Sequence, residues 1–302
     1  MGSVSIKRAL AIDDLKALLG EIDANYDLNI VGDIAITSVS DGRAPVAGSI
    51  CFVEDIEKLI KRSDVTYIVP ALVIGFSCII VGDPRSLFIK LLEILQEKKL
   101  TCAFASGEKN IHVSRTARIH QTSVIEEDVA IGDGTVISAG CVIKSGTSIG
   151  CGCIIRENTV IGCDGISLYK SQAGEVQRFP HLAGVSVGDG VEIGANCVLV
   201  RGTLKNTRIG DHVVIGNLCN IGHGVSVADK VWLSVGSLVG GNSSIEVNSI
   251  IGIGVTIKDN LTIGVDASVG MGSVCTKSTE AGSFLFGNPA KLIRKIKVGP
   301  ER

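Results

Sequence analysis

The sequence predicts a small α/β domain followed by a solenoid of short strands. After residue 112 an aliphatic residue recurs at every sixth position through most of the chain. Glycine, aspartate and asparagine crowd the positions between, as tight turns require. The first hundred residues lack this period and carry β-branched runs and helically spaced leucines instead. We therefore expect an α/β domain over 1–105, a solenoid over 106–276 and a tail over 277–302.

The elements of the first domain can be placed from local signals. Asp13 and Asp14 precede leucines at helical spacing and predict a short capped helix. The β-branched runs 66–69 and 78–81 predict buried strands, and Pro84 opens a second helix. The domain carries neither G-x-G-x-x-G nor a P-loop, so it is not predicted to be a Rossmann or P-loop nucleotide enzyme.

The repeat of the second domain has twenty-three positions with one aliphatic residue each. They are Val113, Ile119, Ile125, Ile131, Ile137, Ile143, Ile149, Ile155, Ile161, Val187, Ile193, Leu199, Ile209, Ile215, Ile221, Val227, Leu233, Val239, Ile245, Ile251, Ile257, Ile263 and Val269. A six-residue period fits a solenoid in which one aliphatic side chain per strand points inward. Cysteines often occupy the small position two residues earlier, and no CxxC pair occurs. We expect free thiols, with neither zinc nor disulfides.

Composition limits the function classes. The net charge of −2 offers no electrostatic case for binding nucleic acid. The longest apolar runs are far shorter than the ~20 residues of a membrane span, and no basic segment leads into an apolar one at the start. We expect a cytoplasmic protein without a membrane span, acting on small partners.

Two interruptions of the repeat are candidates for function, because the coils themselves are occupied with packing. The longer one, 163–185, contains aromatic and cationic residues including Phe179 and His181, which we expect to contact substrate. For the shorter one, 200–205, tolerated insertion and a functional role are equally good interpretations.

The hexad pattern over 111–276 resembles the left-handed parallel β-helix of the hexapeptide acyltransferases. That resemblance implies triangular coils of three hexads, so that eighteen residues return the chain to the same face. A narrower likeness, to the UDP-3-O-acylglucosamine N-acyltransferases of lipid A synthesis and related sugar N-acyltransferases, is carried by four segments. They are 178–185 (RFPHLAGV), 191–196 (VEIGAN), 201–207 (RGTLKNT) and 217–223 (NLCNIGH).

Acyl transfer from a thioester to an amine needs a base for the amine proton and donors for the developing oxyanion. His223 lies near Asn217 and Asn220 with glycines on both sides, which predicts a substrate-contacting base. In the family that the sequence resembles, the stretch corresponding to 217–223 ends in the catalytic histidine, so the resemblance also implies a catalytic role for His223. His112, His120 and His212 are better interpreted as solvated turn residues.

Gly241 lies eighteen residues beyond His223, so the triangular coil would place it almost directly above the histidine. The resemblance implies that its N–H is the oxyanion donor. The family's second functional histidine corresponds here to Asn260, and its uracil-binding domain matches Phe52 loosely. We expect Asn260 and Phe52, like Asn217 and Asn220, to bind substrate. The second aromatic ring of that uracil pocket is missing near Lys58.

We therefore expect an N-acyltransferase acting on a nucleotide-linked amino sugar, with acyl-CoA or acyl carrier protein (acyl-ACP) as co-substrate. No metal and no permanently bound cofactor are expected. The segment 287–294 (GNPAKLIR) resembles the closing segment of coenzyme A-dependent sugar and xenobiotic acetyltransferases. The choice between acyl-CoA and acyl-ACP as donor is therefore open. The resemblance also implies a homotrimer with each site between neighbouring chains, since a histidine on the outside of a solenoid encloses little by itself.

Several alternatives remain. The nearest is a lipid A pathway UDP-3-O-(3-hydroxyacyl)glucosamine N-acyltransferase that uses acyl-ACP, and a sugar O-acetyltransferase is another. A zinc lyase of the carbonic anhydrase kind needs three gathered histidines, and a scaffold would not need a histidine beside two asparagines. A fused nucleotidyltransferase fails because the first domain lacks a glycine-rich activation loop.

Overall fold

A computed structural model describes residues 3–22, 24–102 and 112–295. These form two compact units. The first contains 3–102 together with Ile166–Ala183 and Thr203–Lys205, and the second contains the remainder. Most of the longer interruption of the repeat and half of the shorter one thus belong to the first unit. The predicted boundary at 105/106 lies outside the described residues.

The first unit is a mixed six-stranded sheet with two helices. Its elements are β1 (Ser3–Leu10), α1 (Ile12–Gly20), β2 (Asp27–Asn29), β3 (Ile36–Ser40), β4 (Ser49–Phe52), a 3-10 turn (Ile56–Lys58), β5 (Thr66–Val69), β6 (Ser77–Ile80) and α2 (Pro84–Glu97). The strand order is β1-β3-β4-β5-β6-β2, with β3 to β6 parallel and both edge strands antiparallel to their neighbours. The small α/β domain predicted from the sequence is confirmed.

Two predicted boundaries shift slightly. The first helix begins at Ile12, because Asp14 occupies its third position and accepts the Ala11 N–H at 3.1 Å. The strand predicted over 78–81 runs from Ser77 to Ile80. The second helix begins at Pro84 as predicted, and the Asp83 side chain caps it by accepting the Ser86 N–H at 3.0 Å.

The core of the first unit is completed by residues from distant parts of the chain. One face of the sheet packs on apolar side chains of both helices, including Leu15 and Phe88. Leu182, Ala183 and Leu204, which come from the two interruptions of the repeat, are buried in the same cluster. The first hundred residues alone therefore do not contain the whole core of this unit.

The second unit is a parallel β-helix with three faces. First-face strands are Arg118–Ile119, Val136–Ile137, Ile154–Ile155, Glu192–Ile193, Val214–Ile215, Trp232–Leu233, Ile250–Ile251, Ser268–Val269, Ser283–Phe286 and Lys291–Lys295. Second-face strands are Val124–Ile125, Val142–Ile143, Val160–Cys163, Val198–Val200, Asn220–Ile221, Leu238–Val239, Thr256–Ile257 and Val274–Cys275. Third-face strands are Ala130–Ile131, Thr147–Ile149, Val185–Val187, Thr207–Ile209, Ser226–Val227, Ser244–Ile245 and Thr262–Ile263. A hairpin of Leu168–Lys170 and Val176–Arg178 lies in the first unit.

The predicted inward positions form the core of the β-helix from Ile131 onward, each at most 3% exposed. Ile119 and Ile125 are only partly buried and Val113 is 40% exposed, since they lie in the first coil of the described range 112–295, in which no coil lies below them. The cysteines at the small positions, Cys141 among them, are buried free thiols.

The corners between faces need residues that tolerate left-handed backbone. From Asp128 onward a residue with positive φ recurs every six residues along the uninterrupted coils, and most of these residues are glycine, asparagine or aspartate, such as Gly236 (70°) and Asn242 (59°). Leu218 is an exception, with φ 61° and its side chain 60% exposed. The left-handed backbone at the corners thus explains why glycine, asparagine and aspartate recur in the sequence pattern.

The stack of strands does not stop at residue 276. Ser283–Phe286 pairs parallel with Ser268–Val269 and adds one more strand to the first face. Lys291–Lys295 folds back antiparallel on it. Part of the segment predicted as a tail therefore closes the end of the first face.

Candidate active site

His223 lies on the corner that follows the second face, and Gly241 lies directly against it one coil later. A Cβ placed on Gly241 would lie 2.5 Å from His223 Nε2 and 2.7 Å from its Cε1. The imidazole therefore occupies the space that a side chain at 241 would need. The Asn242 N–H donates to the His223 carbonyl at 2.8 Å, which fixes the register of the two coils. We call this corner, residues 222–224 and 240–242, the histidine edge.

Gly241 also differs from residues at the equivalent place of another corner, because its backbone N–H does not donate to a carboxylate of the next coil. On the corner after the third face, the N–H of Asp189 donates to the Asp211 carboxylate at 2.8 Å, and that of Asp211 to Asp229 at 2.9 Å. The residue one coil beyond Gly241 is Asp259, but its carboxylate accepts from the Asn260 side chain at 2.6 Å instead. Within the described ranges no acceptor reaches the Gly241 N–H. A backbone donor thus lies beside the imidazole without a partner in the described chain.

Asn260 lies one coil above this pair. Its N–H donates to the Gly241 carbonyl at 2.9 Å, and its φ of 59° is the left-handed conformation that asparagine tolerates. The residue is exposed. The corner geometry alone explains an asparagine here, and its assignment to substrate binding stays a prediction.

Asn217 and Asn220 are separated by the structure. Asn220 points outward from the second face, exposed, in register with Leu238 and three residues from His223. Asn217 lies on the preceding corner, where its Oδ1 accepts the Ala195 N–H at 2.8 Å. The side chain of Asn217 therefore links two neighbouring coils. Substrate binding by either asparagine stays a prediction.

The remaining predicted site residues lie in the first unit. Phe52 is half-buried, with its ring centroid 5.1 Å from that of Phe88 and the Arg85 guanidinium 5.4 Å away. Phe179 packs on the same Phe88, with the two ring centroids 6.1 Å apart. His181 is 6% exposed. Their roles toward substrate stay predictions.

A feature that sequence reasoning missed is the attachment of the inserted hairpin. Asp83 accepts the Tyr169 hydroxyl and the Gln172 N–H, both at 2.8 Å. Burial alone would raise the pKa of Asp83, but the N–H groups of Gln172 and Ser86 hold it below its ordinary value. Burial, and then the bond to the Asp83 carboxylate, raises the pKa of Tyr169 to about 12. Asp83 and Tyr169 are 86 residues apart, so no local signal could have paired them.

The described residues contain neither a cluster of metal ligands nor a helix that could span a membrane. No three His, Cys, Asp or Glu side chains converge there as ligands of a metal ion would. Neither of the helices in the same residues has the length and apolar character of a membrane span.

Comparison with known proteins bears on the family. No family model matches the chain. It is 30% identical over 231 residues to the UDP-3-O-acylglucosamine N-acyltransferase of Coxiella burnetii, covering 67% of this chain and 68% of that one. The enzyme of the same name from Maricaulis maris is 43% identical over 115 residues, 38% of this chain and 33% of that one.

The fold also has a solved counterpart. The UDP-N-acetylglucosamine acyltransferase from Campylobacter jejuni superposes with a TM-score of 0.50 at 21% identity, covering 59% of this chain and 75% of that one. This likeness concerns the fold, and the predicted left-handed parallel β-helix is confirmed. Since the Coxiella relative matches over two thirds of both chains, the protein belongs to the UDP-3-O-acylglucosamine N-acyltransferase family and is an acyltransferase.

Proposed function

We propose that the protein transfers an acyl group from a thioester, acyl-CoA or acyl-ACP, to the amine of a nucleotide-linked amino sugar. The observation that carries this is the juxtaposition of His223 and Gly241, where the imidazole Nε2 lies 2.5 Å from the position that a Cβ of residue 241 would take. A proton acceptor and a backbone donor thus lie side by side, and addition of an amine to a thioester requires one of each.

The reaction follows from these two groups. The sugar amine attacks the thioester carbonyl, a C–N bond forms, and His223 takes the proton that the nitrogen loses. The carbonyl oxygen becomes an oxyanion, which the Gly241 N–H stabilises by a hydrogen bond. When the intermediate collapses, the C–S bond breaks and the leaving thiolate receives the proton from the imidazolium.

The names of the relatives and the residues of the first unit support a nucleotide-linked amino sugar as the acceptor. The Coxiella and Maricaulis relatives are named for a UDP-linked acylglucosamine, which makes the lipid A pathway reaction with acyl-ACP the second candidate. In the first unit, Phe52, Phe179 and His181 are proposed to contact the nucleotide sugar. The Arg85 guanidinium already lies 5.4 Å from the Phe52 ring and 5.0 Å from Tyr169, so stacking of a base on Phe52 would require Arg85 to move.

We also propose a homotrimer and a cytoplasmic location for the enzyme. His223 lies on the outer surface of the β-helix and is half-buried, and small-molecule sites are normally concave. A neighbouring chain would supply the missing wall. Sedimentation as a monomer at micromolar concentration under assay conditions would contradict the trimer.

The test is a donor and acceptor screen combined with two variants. Acyl-CoA and acyl-ACP donors are incubated with UDP- and dTDP-amino sugars, and the mass increase of the sugar nucleotide reports both partners. His223→Ala should lower kcat by roughly 10²- to 10⁴-fold with little change in sugar binding. His120→Ala, on an exposed turn, is the control and should keep full activity.

The pH profile gives a second readout. Activity should rise with pH across the imidazole range, roughly pH 5 to 8, because only the neutral ring accepts a proton. That rise should be absent from the residual activity of His223→Ala. Full turnover in the variant would remove His223 from the mechanism and make His181 the next candidate for the base.

A further inference from the structure

The inserted hairpin of Leu168–Lys170 and Val176–Arg178 has two faces of opposite character. Exposure alternates along both strands, so that every second side chain points outward. Tyr169 and Gln177, which lie directly opposite each other, are half-buried on the inner face. The side chains on the other side are exposed: Ile166, Leu168, Lys170, Val176 and Arg178. We call these five residues the outer face of the hairpin.

The inner face holds the hairpin in place. The Tyr169 hydroxyl donates to Asp83 at 2.8 Å, and the Gln177 side-chain amide donates to the Ser86 hydroxyl at 2.8 Å. At the turn, the Gln172 N–H donates to Asp83 at 2.8 Å. The outer face thus belongs to a ribbon that is already fixed, so binding there requires little further ordering of the chain.

The outer face combines aliphatic side chains with cations. Ile166 is 71% exposed, Leu168 60% and Val176 69%. Leu168 lies directly opposite Arg178, and Val176 lies directly opposite Lys170. Each of these cross-strand pairs therefore has one aliphatic and one cationic side chain. Apolar surface and positive charge alternate within one small patch, and none of its residues is acidic.

The two cations have no carboxylate partner. Within the described parts of the chain, neither Lys170 nor Arg178 forms an ion pair. Glu175 lies in the turn, outside the paired strands. The other arginines described in the first unit each contact a carboxylate: Arg8, Arg43, Arg62 and Arg85. The positive charge of the outer face is therefore available to an anionic partner.

The chemistry and size of the outer face favour an anionic lipid bilayer as that partner. A protein buries ~800 Å² per side in a standard interface, more than five side chains on a two-stranded ribbon present. Sites for small ligands are concave, and side chains exposed by 60% or more do not line such a site. Single-stranded nucleic acid calls for aromatic rings that stack on bases, and the outer face has none. A bilayer surface offers hydrocarbon and anionic headgroups at nearly the same depth.

We infer that the outer face of the hairpin binds the surface of an anionic lipid bilayer. Ile166, Leu168 and Val176 enter the boundary between headgroups and acyl chains, while Lys170 and Arg178 extend their charged ends to the lipid phosphates. Binding through so few residues is reversible. The inference goes beyond the proposed acyl transfer, because it concerns the surface at which the enzyme acts and does not depend on which residues react.

The test measures co-sedimentation of the full chain with lipid vesicles at low ionic strength. The wild-type protein should bind vesicles of equal parts phosphatidylcholine and phosphatidylglycerol, and pure phosphatidylcholine vesicles much more weakly. Lys170→Gln combined with Arg178→Gln should lower binding to the anionic vesicles by roughly 30-fold, because each basic residue near such a surface contributes a factor of about five. Lys7→Gln combined with Lys61→Gln removes the same charge from two exposed lysines elsewhere in the first unit and should leave binding nearly unchanged.

The aliphatic part of the outer face has its own test. Leu168→Ser should weaken binding to the anionic vesicles by roughly tenfold, because the burial of one leucine side chain is lost. Leu72→Ser, at a leucine 52% exposed elsewhere in the first unit, is the matched control and should bind as the wild-type protein does. Far-UV circular dichroism checks that every variant is folded.

The outcomes distinguish a bilayer from other anionic partners. Absence of wild-type binding to anionic vesicles, unchanged binding by either outer-face variant, or loss of binding in either control would overturn the inference. Full competition by soluble glycerol phosphate would make the outer face a site for a free anion and overturn it too. Binding to immobilised polyglutamate but not to vesicles would assign the face to an acidic protein instead. Because the vesicle assay contains no substrate, a failure of the proposed acyl transfer would be recorded separately, in the donor screen.

Discussion

At the scale of single residues, the site depends on the absence of a side chain at Gly241. Gly241 has no positive φ to explain it, and a methyl group there would lie within 2.9 Å of three atoms of the His223 ring. Gly222 has a related constraint, because a Cβ on it would lie 2.8 Å from the Gly241 nitrogen. The two glycines thus keep both the imidazole and the N–H accessible.

Gly241→Ala should leave the fold intact and reduce turnover. The added methyl must push the His223 ring aside, and a displacement of about 1 Å can cost roughly 10²-fold in rate. Steady-state kinetics with far-UV circular dichroism check this. Gly20→Ala, where a Cβ meets nothing within 4 Å, should behave as wild type; equal activity of both variants would show that the ring position is unimportant.

Asp83→Asn should lower the pKa of Tyr169 from about 12 toward its ordinary value of about 10. The raised tyrosine pKa stabilises the fold below about pH 10, and this contribution is lost as pH rises through 12. The lowered pKa of Asp83 contributes to the stability of the fold above about pH 4, and this contribution is lost as pH falls further. Absorbance titration at alkaline pH measures the tyrosine, with Tyr169→Phe identifying its step; an unchanged step would disprove the coupling.

At the scale of the element, a strand of two residues contributes one inward side chain. Ile143 is fully buried, and its neighbour Val142 points outward. Ile143→Asp should cost more than about 3 kcal/mol of unfolding free energy, because an unpaired charge enters a packed core. Val142→Asp, on the same strand, should cost far less. Urea denaturation compares them, and equal midpoints would mean that the inward register is wrong.

The register of these strands could be predicted from sequence because the six-residue period is local. The same period placed Gly241 over His223 correctly, since eighteen residues make one coil. It did not place Asn217, which is near His223 in sequence but lies on the preceding corner. The membership of the hairpin could not be predicted either, because the bond between Asp83 and Tyr169 joins residues 86 apart.

At the scale of the whole molecule, the first unit is discontinuous in sequence. Leu182, Ala183 and Leu204 are 6% exposed or less in a cluster otherwise formed by the first hundred residues. A fragment of residues 1–102 should therefore unfold at much lower temperature than the same unit within the full chain, or fail to melt cooperatively. Near-UV circular dichroism and thermal melting test this. A fragment as stable as the parent would show that the three residues are dispensable.

The same discontinuity sets an order of events during synthesis. Domains usually fold as they leave the ribosome, the N-terminal one first. Here the sheet of the first unit emerges early, but the side chains that seal its core lie near residues 182 and 204. Several coils of the β-helix must be translated in between. The sheet is therefore made well before its core can be closed, and until then its apolar surface needs protection from aggregation.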